Sequence, residues 1–142
     1  LKFDEFSVGD IFFTNEVVMT KEEIIGFARK YDPQHLHMDE EAAEKTPYGS
    51  LIASGFHTLA VVWAEFIKMD ILGADSVGGL GAEKIRWRAP VRPGDQLTGE
   101  FSIVNTKELS DKSRGVLSIE IVIRNQRNQE VLTAKTEVFV AT

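Results

Sequence analysis

The stretch Ser54-Gly55-Phe56-His57-Thr58-Leu59-Ala60-Val61-Val62-Trp63-Ala64-Glu65-Phe66-Ile67-Lys68-Met69-Asp70-Ile71-Leu72 decides how this chain folds. Drawn as a helix from Gly55 to Leu72, it carries apolar side chains on nearly every face. A helix apolar all round belongs in the middle of a domain. Ser54 is a natural N-cap and Gly73 a natural terminator. His57, Glu65, Lys68 and Asp70 interrupt the run, which makes it a poor membrane span.

Downstream the pattern changes to strands. Ile85 and Trp87 alternate with Lys84, Arg86 and Arg88, and a turn follows over Pro90 to Asp95. Leu97, Gly99, Phe101 and Ile103 share one face of the next strand. Leu117, Ile119, Ile121 and Ile123 share one face of a third. A fourth runs from Val131 to Val140 after the polar Asn125–Asn128 turn. Four such strands form an antiparallel meander with one buried face. Gly78-Gly79-Leu80-Gly81 reads as a flexible connector, too loose for a nucleotide fingerprint and with no Lys-Ser or Lys-Thr to complete a phosphate loop.

Upstream, a turn at Ser7–Asp10 leads into a strand over Ile11–Met19. Thr20 and Glu23 then make a capping box. Ile24, Phe27, Ala28 and Tyr31 follow at helical spacing, and Pro33 ends the helix at Asp32. A short helix starts near Asp39, with Glu40 and Glu41 in its first turn, and Thr46–Gly49 breaks it. Helices in the first half and strands in the second read as α+β.

The chain has 142 residues, 43% of them hydrophobic and 27% charged, enough for one packed domain over 1–142 and too apolar for disorder. Its net charge of −6 with no basic run argues against nucleic-acid binding as the main activity. With no cysteine there is no disulfide, thiolate metal site or cysteine nucleophile. No signal-peptide pattern is visible, although the chain starts at Leu1, and the cytoplasm is the expected compartment.

Chemistry concentrates in Tyr31-Asp32-Pro33-Gln34-His35-Leu36-His37. Five residues span about 16 Å extended and about 7.5 Å in a helix, so Asp32 and His37 share one water only if the chain turns back at Pro33 and Gln34. Lying at the negative end of the first helix, in apolar surroundings, Asp32 is expected to have a raised pKa. Such a pair can take a proton from water and return one to carbon. The plainer reading is a turn-forming Asp before Pro and a solvated His. A third reading has His35 and His37 on a strand, both rings on one side with Asp39 beyond, holding a metal, but such a site wants three protein ligands.

The small residues of Gly49–Gly55 leave the first N–H groups of the long helix open, so that near Ser54 and Gly55 they can bind a carbonyl oxygen that gains negative charge. Alternatively, Ser54 merely caps and Gly55 merely permits close packing. His57, one turn into the helix, reads as structural. Arg86, Arg88 and Arg92 can meet phosphates of a ligand, but alternating Arg on an exposed strand needs no function.

On Phe6–Asp10, Asp32–His37, Leu51–Gly55 and Pro90–Asp95, the sequence resembles the MaoC-like dehydratases of the hotdog fold, which include (R)-specific enoyl-CoA hydratases. The family's motif runs Asp, any residue, Asn, Pro, an aliphatic, His. Asp32, Leu36 and His37 match it, with Gln34 in place of Asn and His35 in place of Pro. The resemblance implies an antiparallel sheet wrapped round the central helix, and two subunits paired into a continuous sheet. It implies Asp32 and His37 as a water-holding catalytic dyad, with the thioester carbonyl bound near Gly55 and Ser54. Gln34 and His35 then become substrate-positioning candidates. The implied reaction is reversible hydration of a 2-enoyl thioester, on coenzyme A or an acyl carrier, with no metal or other cofactor. A hotdog thioesterase and a non-catalytic acyl-CoA-binding subunit are the rival readings.

Overall fold

A computed structural model describes all residues, 1–142. After a 3₁₀ turn at Phe3–Glu5, the elements are β1 (Ile11–Phe13), β2 (Val17–Val18), α1 (Lys21–Tyr31), α2 (His35–Met38), α3 (Glu40–Glu44) and α4 (Gly55–Lys68). A 3₁₀ turn at Gly73–Asp75 leads to β3 (Ser76–Trp87), β4 (Gln96–Glu108), β5 (Arg114–Arg124) and β6 (Glu130–Ala141). The antiparallel sheet has the order β1-β4-β5-β6-β3, with β2 also paired to β4.

The alternation read from the strands sets the core. Leu97, Phe101, Ile103, Leu117, Ile119, Ile121 and Ile123 are buried beneath α4 as part of one 23-residue cluster. Phe66 of α4 stacks on Phe101 at 4.2 Å between ring centres, and Gly99 lets Val62 come close to β4. A long helix packed against one face of such an antiparallel sheet is the hotdog arrangement.

Several sequence expectations shift. The strand expected over Ile11–Met19 is two pieces, because the polar Thr14-Asn15-Glu16 interrupts it. Thr14 Oγ1 takes the Gly99 N–H at 2.8 Å in place of a ladder carbonyl. Thr20 does cap α1 by accepting from Glu23 N, but the Glu23 carboxylate takes the Thr20 hydroxyl rather than its backbone N–H. Tyr31 is exposed, so the buried stripe of α1 is narrower than its spacing suggests. α4 stops at Lys68, four residues early: Asp70 takes the left-handed turn (φ 60°), and Gly73 opens the next turn. Gly78–Gly81 is not a connector but part of β3, paired to β6 through register shifts that side-chain-free residues tolerate.

The largest correction concerns α4 itself. Within one chain only His57, Thr58, Val62 and Phe66 are buried, while Phe56 and Ile67 are exposed. One sheet covers one side of a helix, and α1 reaches only its first turn, where Phe27 stacks on His57 at 4.6 Å.

Candidate active site

The last turn of α1 closes with Asp32 N–H donating to Ala28 O, and Pro33 then forbids another. Gln34 N–H donates back to Asp32 O at 2.7 Å, and His37 N–H donates to Gln34 O at 3.0 Å. These two bonds reverse the chain into the single turn of α2. His37 Nε2 thereby comes to 3.4 Å from Asp32 Oδ2.

The segment leading into α4 fixes the imidazole. Ile52 N–H donates to Leu36 O at 3.3 Å, and Ile52 O lies 2.7 Å from His37 Nδ1. A carbonyl only accepts, so Nδ1 carries hydrogen and the neutral ring presents a lone pair on Nε2. The carboxylate is held equally firmly. Gln34 Nε2 donates to Asp32 Oδ1 at 2.7 Å. This bond, then the neighbouring Ser54 hydroxyl, lowers the Asp32 pKa below the ordinary carboxylate value; burial opposes them and His37 adds a smaller lowering. The expectation of a raised pKa fails because hydrogen bonds to the charged form outweigh desolvation. Asp32 is therefore ionised near neutral pH, and its carboxylate faces Nε2 of the His37 ring.

Ser54 sits at the N-cap position of α4 but does not cap it. Its buried Oγ stands close enough to favour the Asp32 charge, yet makes no hydrogen bond of ordinary geometry. The N–H groups of Gly55, Phe56 and His57 also lack protein acceptors. Gly55 serves close packing as well: a Cβ there would stand 2.5 Å from the Trp87 ring. Both alternatives read for this segment, open amides and tight packing, hold together.

Asp32, Gln34, His37 and Gly55 line one cavity of about 470 Å³, whose apolar wall includes Leu36, Phe56, Trp87 and Leu132. Ser54 adjoins it and His35 does not. His35 is exposed, and on a helical turn it lies about 200° round from His37, so the two rings diverge. His35 is thus not among the side chains brought together at this cavity, and the segment that the metal reading took as a strand is a helical turn. Arg92 is committed to the fold, donating to Tyr48 O at 2.7 Å and to Ser50 Oγ. Sequence reasoning missed the Ile52 carbonyl, which no side-chain pattern can mark. It also missed Trp87 as a cavity wall.

Comparison with known proteins gives consistent relatives. The profile of the MaoC like domain matches residues 7–125. The chain is 32% identical over 142 residues to the uncharacterized protein YdeM of Bacillus subtilis, spanning 99% of each. It is 34% identical over 97 residues to 3-hydroxyacyl-thioester dehydratase Z of Mycobacterium tuberculosis, covering 67% of this chain and 64% of that one. A MaoC-like dehydratase from Rhodospirillum rubrum superposes with a TM-score of 0.91 at 31% identity, over 99% of this chain and 97% of the other.

Proposed function

The chain belongs to the MaoC-like dehydratase family, and from that premise we propose that it hydrates trans-2-enoyl thioesters reversibly to (R)-3-hydroxyacyl thioesters. The observation that carries this is the 3.4 Å approach of Asp32 Oδ2 to a His37 Nε2 whose lone pair is set by Ile52 O. Two acceptors at that separation can each take one hydrogen of a single water and leave its oxygen free to attack C3. One proton passes to the pair and is returned to C2. The C2=C3 double bond becomes a C–O and a C–H bond, and no electrons leave the substrate, so the scheme calls for no redox group. Negative charge reaching the thioester oxygen meets the Gly55 N–H at the start of α4, with the Ser54 hydroxyl beside it. Removing one such donor typically costs about 3–4 kcal/mol. The (R) outcome rests on family membership.

The same reading takes a second copy of this chain as partner, since α4 shows an apolar outer face and β3 an unpaired edge. Absorbance of the enoyl-thioester band, followed with a short 2-enoyl-CoA, tests the chemistry. Asp32→Asn and His37→Gln are each expected to slow hydration by about 10²–10⁴-fold while the fold is retained. Folded variants as fast as the wild type would refute the pair's role. Free thiol appearing instead of hydroxyacyl product would favour the thioesterase, and tight acyl-CoA binding without turnover the binding subunit.

A further inference from the structure

One group of side chains is unused by this chemistry. On the solvent side of the sheet, a groove of about 430 Å³ across β3, β6 and β5 is walled by Lys84, Arg86, Arg88 and Lys135, with Glu120 of β5 among them. Four cations together are conspicuous in a chain of net charge −6. Lys135 reaches Glu83 at 3.8 Å, but Lys84, Arg86 and Arg88 form no ion pair. Arg86 donates only to the adjoining Ile85 carbonyl, and Arg88 Nε only to Thr133 Oγ1.

Strand alternation produces this row, and a bulge interrupts it at Lys84 and Ile85. Glu83 faces Lys135 and Arg86 faces Thr133, so Lys84 and Ile85 together oppose one residue of β6. An unbroken strand would set Glu83 and Arg86 on opposite faces. Lys84, Arg86 and Arg88, two residues apart, line the outer face by alternation while Ile85 turns toward the core, and the bulge keeps Glu83 on that outer face as well, beside Lys135. Within the bulge Lys84 stands at φ 54°, a left-handed conformation that costs any residue but glycine.

Arg88 lines this groove and also the cavity holding Asp32 and His37. We propose that the groove binds the phosphate groups at the far end of the substrate's pantetheine arm, with Arg88 at the cavity mouth and Arg86 and Lys84 farther along. This rests on the thioester reading above. From Lys84 to Arg88 the strand extends about 13 Å, room for the separated phosphates of coenzyme A rather than the single phosphate of a phosphopantetheinyl carrier.

Calorimetric titration of the full chain with unacylated coenzyme A and with 4′-phosphopantetheine tests this without needing turnover. Lys84→Gly suits its backbone angle and retains the fold; Arg86→Gln is the second variant, and Lys107→Ala on β4 the control. Coenzyme A is expected to bind more tightly than phosphopantetheine and to lose affinity with added salt. Each groove variant is expected to weaken coenzyme A about tenfold, and the control to leave it unchanged. Equal affinity for the two ligands, or groove variants that bind like the wild type, would overturn the groove assignment even in an active enzyme. Binding that behaves as expected in a protein that hydrates nothing would instead overturn the hydratase reading alone.

Discussion

Gly55 is held to its identity by two demands on one position. Its N–H opens α4 toward the cavity, and its Cα lies under the Trp87 ring, where a methyl group would approach to 2.5 Å. Trp87 is half exposed and meets Phe56 edge-on at 5.3 Å. Gly55→Ala must therefore either press on the ring or swing it away from the cavity wall. We expect a loss of about 1–3 kcal/mol, read from urea unfolding at unchanged m-value, together with slower hydration. In a Trp87→Ala background the stability cost of Gly55→Ala is expected to vanish. An undiminished cost there would show that the ring contact is not its cause. Residue types at motif spacing made Asp32, His37 and Gly55 legible in the sequence. The sign of the Asp32 pKa shift was not, because it depends on where the Gln34 amide and the Ser54 hydroxyl point after the chain reverses.

Packing between elements explains the third histidine. His57 stands on the first turn of α4 with its ring against Phe27 of α1, 8° from parallel, and its buried Nδ1 has no hydrogen-bond partner. Burial lowers its pKa below the ordinary value of about 6.5, with Glu23 pulling weakly the other way. The unfolded chain thus takes up this proton at higher pH than the folded one. Stability from this contact is complete above pH 6.5 and falls as pH drops toward the folded value. His57→Phe preserves the stack and removes the titration, so it should gain stability relative to the wild type between pH 8 and pH 5. Parallel unfolding curves across that range would contradict this account. The helical spacing in α1 and α4 told that both elements exist. It did not tell that an imidazole and a phenyl ring join them, since a pairing across elements leaves no periodic trace.

For the whole molecule, sequence and structure differ on where α4 is buried, and the difference is itself informative. The apolar run between Gly55 and Leu72 pointed to a helix enclosed on every side, yet the sheet covers one side and leaves Phe56 and Ile67 exposed. Hydrophobic patterning records that a surface is removed from water without recording whether the cover is the same chain. The uncovered side of α4 continues into a shallow groove where Trp63 and Ile67 meet Leu80 of β3. β3 pairs only with β6 and ends the sheet with 12 residues, whereas β1 at the opposite edge has three. A long bare edge beside an apolar groove invites pairing, and pairing β3 with its own copy about a two-fold axis satisfies both at once. Light scattering is therefore expected to give twice the 15.9 kDa chain mass at micromolar concentration. Leu80→Glu combined with Ile67→Glu should shift the protein to single chains by burying unpaired carboxylates in the joint. Because neither side chain belongs to the 23-residue core, the separated chains should keep their secondary structure while losing resistance to heat. A wild type that stays at 15.9 kDa, or a double variant that still associates, would place the covering surface elsewhere than along β3 and α4.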